Sequence, residues 1–223
     1  MRYMSKAPLA LGLLWLVGCS SSYSSGAGGP VPAADMSTTA PTPDRRIGLS
    51  PGWMNAAEAA WNLRVVSRTE PSADFINRST PGDRRLVNSD LAFTGNYAIQ
   101  GNYSGWQIWD ISNPGKPRLK KAYICPGSQS DVSVYGNLLF VSGESTSGRL
   151  DCGLEGVKDT VSHDRLRGIR IFDISDIANP KYLANVQTCR GSHTHTVVTA
   201  PNDSANVYVY VSGSSRVRSP SEL

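Results

Sequence analysis

The chain has 223 residues and a formal net charge of +4, with 18% charged and 39% hydrophobic residues, 21 Gly and 14 Pro. That length bounds it to one domain or a fraction of a larger one. The small charge imbalance excludes a nucleic-acid groove and a long acidic or basic tail, so no nucleic-acid partner is expected.

At the amino terminus, Arg2 and Lys6 precede an apolar stretch over residues 7–17, and Gly18 stands directly before Cys19. A basic start, a short apolar core and a small residue make an export signal over residues 1–18. The apolar stretch is well short of the roughly 20 residues that cross a bilayer as a helix, so the mature protein is not expected to span the membrane. Leu16-Val17-Gly18-Cys19 resembles the lipobox of bacterial lipoproteins. There the cysteine thiol takes a diacylglycerol, the signal is removed and the new amine is acylated. The resemblance implies lipidation of Cys19, the membrane as a partner through that anchor, and residence in the cell envelope. Ser20 in place of Asp implies sorting to the outer membrane, with the domain facing the periplasm or the surface. Several acyl chains exceed the two signals that stable anchoring needs.

Residues 19–50 are rich in Ser, Gly, Pro and Thr and nearly free of large apolar side chains. Such a stretch buries too little to offset its ordering entropy and is expected to be a flexible linker. In the region 51–85, the alanines of residues 54–61 (MNAAEAAW) predict a short helix. Residues 62–67 (NLRVVS) read as a strand.

A repeat organises the rest of the chain. Residues 104–114 (SGWQIWDISNP) and 167–180 (RGIRIFDISDIANP) share Gly, a central Ile, Asp-Ile-Ser and a later Asn-Pro, after a period of about 63 residues. Before each lies a hairpin pattern, NSDLAFTGNYAIQG from Asn88 and QSDVSVYGNLLFVSG from Gln129, with Gly95-Asn96 and Gly136-Asn137 as turns. A third hairpin, from Thr194, has a longer turn at Pro201-Asn202-Asp203. A fourth strand follows the repeat at residues 117–124 and 181–188. Four antiparallel strands per unit predict an all-β fold, a β-propeller of four-stranded antiparallel blades. Asp110 and Asp173 are expected to hold the following turn rather than to catalyse. Trp106, Trp109, Phe172 and Tyr182 fall at strand positions and are expected to pack between blades.

GWQIWDISNP and GIRIFDISDIANP resemble the LVIVD repeat of β-propellers in exported bacterial proteins. The resemblance covers roughly residues 86–213 and implies a binding or adhesion platform. Within residues 86–223 there is room for about two and a half blades, whereas propellers close with 4 to 8. The expectation is therefore that Leu223 is a truncation point, and that residues 62–67 complete the last blade of a full ring.

With Cys19 assigned to lipid, Cys125, Cys152 and Cys189 remain as disulfide candidates. Cys125 and Cys189 occupy equivalent places in successive units, and Cys152 lies in a loop on the same predicted face within reach of either, so one pair and one orphan can form and the pairing stays open. His193 and His195 are two apart, the spacing that puts side chains on one strand face, and Asp131 occupies the place of His195 in the preceding unit. These three form a candidate metal site at the channel mouth, where imidazole favours zinc or copper. His163 is a further candidate in a solvated loop. Gly143-Glu144-Ser145-Thr146-Ser147-Gly148 lacks the spacing of a nucleophile elbow and runs into a loop. The preferred reading is a lipid-anchored envelope propeller that binds a protein, peptide or polysaccharide. The alternative is a metal-dependent oxidoreductase or hydrolase with its site at the channel mouth.

Overall fold

Among the described residues, ten strands carry nearly all the regular structure, each an alternating or apolar run bounded by turn residues. The computed structural model describes residues 36–52, 55–80 and 83–222. The expected signal, Cys19, the first part of the linker and Met54 lie outside the described residues. Strands β1 (Asn88–Thr94), β2 (Tyr97–Asn102), β3 (Gly105–Asp110) and β4 (Arg118–Ile124) form one antiparallel sheet in sequence order. Strands β5 (Val132–Tyr135), β6 (Leu138–Gly143), β7 (Gly168–Asp173) and β8 (Lys181–Gln187) form a second of the same order. The pair β9 (Thr194–Ala200) and β10 (Asp203–Ser212) makes a third, two-stranded sheet. The fold is all-β: two four-stranded propeller blades and the hairpin of a third.

What repeats in the sequence repeats in three dimensions. Gly95 and Gly136 take φ of 52° and 59° in the two-residue turns that join Thr94 to Tyr97 and Tyr135 to Leu138. In the third hairpin Ala200 pairs with Asp203, so Asp203 opens the strand and the turn is shorter than its sequence suggests. The register slips between Ile108 and Trp109 in the first blade and between Ile171 and Phe172 in the second. The same bulge therefore recurs at the same place. Gly105 and Gly168 explain themselves by close approach: a Cβ there would lie 2.0 Å from the Tyr123 carbonyl oxygen and 1.9 Å from that of Val186. Asp110 Oδ1 accepts the Ser112 amide at 3.0 Å, and Asp173 Oδ1 accepts the Ser175 amide at 2.8 Å. The hydrogen bonds from Ser112 and Ser175 hold both carboxyls below the usual range, the turn-holding role expected of them.

The core lies between the two complete blades. Ile99, Trp106 and Ile108 of the first meet Val132, Leu139 and Phe172 of the second, all buried. Trp106 stacks on Tyr123 with ring centroids 4.8 Å apart and meets Phe172 edge-on at 5.3 Å. Phe172 in turn stacks on Tyr182 at 5.0 Å. Trp106, Phe172 and Tyr182 thus pack between blades as expected, and Trp109 is half-buried. Strand β5 lies beside both β1 and β9, so the first strand of each unit is the innermost.

Upstream, the chain follows a largely irregular path to β1. Residues 55–61 carry no helix and residues 62–67 no strand. The alanine-rich run is exposed, and so short a segment does not offset the cost of helix nucleation without a packed face. A strand needs a partner edge, and no described residue pairs with residues 62–67. Instead Phe75, in the 3-10 turn Ala73–Phe75, is buried, and the Ser72 amide donates to the buried Gln107 Oε1 at 2.9 Å. Among the described residues no helix is long and apolar enough to cross a membrane.

Candidate functional site

Antiparallel order sends one end of every odd strand and the opposite end of every even strand to the same side. The turn at 103–104, the links 125–131 and 188–193, the long loop 144–167 and residues 213–222 therefore share one end of the blades. The long loop curls back over its own blade, with Arg149 bridging to Arg165 and the Glu144 amide donating to the Gly127 carbonyl at 2.9 Å. That path brings Cys152 to Cys125, with Cα atoms 4.4 Å apart, and the two form a disulfide. Among the described residues, Cys189 is the free, exposed thiol.

The proposed metal ligands do not converge. His193 sits in a bend just before β9, where the alternation of a strand does not yet apply, and the two imidazoles meet different partners. Its Nδ1 lies 2.5 Å from Glu144 Oε1, and its Nε2 lies 3.1 Å from the Gln129 side-chain amide nitrogen. An amide donating to Nε2 leaves the ring proton on Nδ1, where it is donated to Glu144. His195, inside β9 and buried, turns its Nδ1 to Ser142 Oγ at 2.8 Å, and Ser142 Oγ lies 2.8 Å from Ser192 Oγ. Burial raises the Asp131 carboxyl; Asp90 and Glu144 add to this, and Thr194 and His193 oppose it. Among the described residues no three His, Cys, Asp or Glu side chains are arranged to hold a metal ion, so the His193, His195 and Asp131 set is not assembled. His163 is exposed in its loop, as expected.

Glu144 and Ser142 are the partners that sequence patterns did not reveal. Burial acts to raise the Glu144 carboxyl, but hydrogen bonds from His193 and Ser214 outweigh it and hold the group below its usual range. A signal for Ser142 was present: it is the polar residue in the otherwise apolar run of β6, and a polar group at a buried strand position needs a partner. The Ser142–His195 contact is no catalytic pair, because Ser142 is fully buried and no substrate carbonyl can reach it.

The His195 ring sets a pH dependence. Burial lowers its pKa below the ordinary 6.5, and the charge of Asp90 offsets this in part. The unfolded chain then takes up the proton first. The stability due to the neutral ring is complete above 6.5 and is lost as pH falls below that value towards the depressed folded one. His195→Asn, which keeps a hydrogen-bonding group towards Ser142, is expected to lose less stability than wild type between about pH 7.5 and about pH 5 in urea titrations. An equal loss in both proteins would show that the ring is not the source.

Beside the disulfide, an open cleft of about 740 Å³ runs between the segment before β1, the turn at 103–104, the link after β4 and the long loop. Asp83, Arg85, Tyr103, Ser128, Ser145 and Leu154 are among its lining residues. Donors, acceptors, one cation and one aromatic ring line its walls, with no nucleophile and base paired across it.

The family model for the LVIVD repeat matches residues 88–124, which is the first blade. The second blade, with the same Gly, bulge and Asp, repeats that blade's structure. No curated protein sequence matches the chain. A solved structure, that of the computationally designed Ika4 protein, is 16% identical and covers 57% of this chain and 92% of that chain, with a TM-score of 0.25.

Proposed function

We propose that the chain is a lipid-anchored β-propeller of the bacterial cell envelope whose loop-bearing end is a binding platform for a protein, peptide or polysaccharide. The observation that carries this reading is the open polar cleft of about 740 Å³ beside the Cys125–Cys152 disulfide. A wall held by a covalent link loses little freedom when a ligand settles against it, which lowers the cost of binding. Tyr103 offers a flat apolar face and the Arg85–Asp83 ion pair a polar edge with the remaining Arg85 donors, a pairing that suits an extended polymer with polar groups along its length. A disulfide agrees with an exported setting. The lipobox and linker then account for how the platform is held clear of the lipid surface.

The test uses the full chain in mild detergent against arrays of peptides and envelope polysaccharides. Saturable binding is expected, weakened about tenfold or more by Tyr103→Ala and by Arg85→Ala. Binding unchanged in both variants, or turnover that depends on residues of the channel face, would overturn the reading. Labelling with a radioactive fatty acid in cells, present in wild type and lost in Cys19→Ala, tests the anchor separately.

A further inference from the structure

Arg167 is out of balance with its surroundings. Its side chain is buried, with 3% exposure, and neither Nε nor Nη2 has a hydrogen-bond partner among the described residues. Its backbone is engaged, the amide donating to Gln187 Oε1 at 2.9 Å and the carbonyl accepting the Thr188 amide at 2.8 Å. A guanidinium stays charged in a protein, and a buried charge without a partner is among the costliest groups a fold can hold.

Arg218 lies against it. Also buried, it donates from Nη2 to the Arg167 carbonyl oxygen at 3.2 Å and to Gln187 Oε1 at 2.9 Å, and from Nη1 to the Glu222 carbonyl oxygen at 3.5 Å, while its Nε has no partner among the described residues. Arg165, the third buried arginine of the group, is fully committed. It is ion-paired with the buried Glu222 and donates to the backbone oxygens of Thr146, Asp159 and Thr160. Glu222 thus satisfies Arg165 and leaves two cations. Glu144 acts on Arg167 from further off and is already bound to His193 and Ser214. The Arg218 amide donates to the carbonyl oxygen of the exposed Cys189 at 2.9 Å, so the pair lies beside a surface turn.

We infer that Arg167 and Arg218 form a binding site for an oxyanion, a phosphate or carboxylate group, at the loop-bearing end of the second blade. Nε and Nη2 of Arg167, the two donors on one edge of its planar fork, and Nε of Arg218 are left to meet such a group, and burial strengthens each charge-assisted bond. Burial lowers the pKa of both arginines, and the charge of Arg165 adds to this at each; an anion between them reverses both effects. The site shares no residue with the cleft lining and stands independently of the ligand proposed there.

The test is thermal melting of the full chain in mild detergent, in inorganic phosphate, acetate and chloride at matched ionic strength. Phosphate or acetate is expected to raise the melting temperature above that in chloride by about 5–10 °C at roughly a hundredfold excess over its Kd. Whichever ion does so identifies the group as phosphoryl or carboxylate. Arg167→Gln is expected to lose the increment and, relieved of an unpaired buried charge, to melt in chloride no lower than wild type. An increment that survives in Arg167→Gln, or no increment in wild type, overturns the proposal. Should that variant fail to fold, Arg218→Gln and broadening of the phosphorus resonance of free phosphate by the wild-type protein give the same decision. Binding at the cleft is expected to persist in Arg167→Gln, so failure of one site is distinguishable from failure of the other.

Discussion

Trp106→Ala is expected to lower the unfolding free energy by about 4 kcal/mol, measured by urea denaturation of the full chain in mild detergent. The indole is fully buried, stacked on Tyr123 and edge-on to Phe172, so it belongs to both blades at once. Removing it opens a cavity where the two sheets meet and leaves two aromatic rings without their partner. Domains are stable by about 5–15 kcal/mol, so the variant is expected to lose a large share of its stability. Trp106→Phe separates packing from polarity. The indole Nε1 has no hydrogen-bond partner among the described residues, so exchange for Phe forfeits no polar contact and is expected to cost only about 1 kcal/mol. The inter-blade reading fails if the alanine variant is as stable as the phenylalanine one.

The second large effect belongs to the repeat glycine. Gly168→Ala is expected to cost about 3 kcal/mol, from positive-φ strain and steric conflict together. The backbone there has φ of +154°, and the added methyl would stand 1.9 Å from the Val186 carbonyl oxygen, so β7 and β8 must separate to admit it. Gly136→Ala is the control. It also has positive φ, +59°, but a methyl added there would meet nothing within 4 Å; only the left-handed penalty of about 1 kcal/mol applies. Equal costs at the two positions, read from paired melts, would show that conformation alone and not strand contact selects the glycine. The same comparison at Gly105, where the conflict is with Tyr123, is expected to repeat the result in the first blade.

Much of the loop-bearing end was hidden from the sequence for reasons of distance along the chain. His193 and Glu144 are 49 residues apart, and Arg165 and Glu222 are 57 apart. In sequence Arg167 is merely the residue before a repeat glycine, and its isolation is visible only once the C-terminal residues fold back, with the Arg218 amide donating to the Cys189 carbonyl at 2.9 Å. The His-x-His pattern misled because strand alternation was applied one residue before the strand begins. The helix expected at residues 54–61 misled for a different reason: alanine content is a weak preference that needs a packed face to act on.

By itself the sequence determined the blades. Alternation, the two-residue glycine turns, the repeat glycine and the turn-holding Asp are all local requirements, met within a few residues or across one strand pair, so they can be read from the order of residues alone. Tertiary structure decided which cysteines pair, which imidazole meets which acid, and which arginine is left without a counter-charge. Those outcomes depend on contacts between segments tens of residues apart, whose paths are set by packing against neighbouring blades and not by any pattern within them.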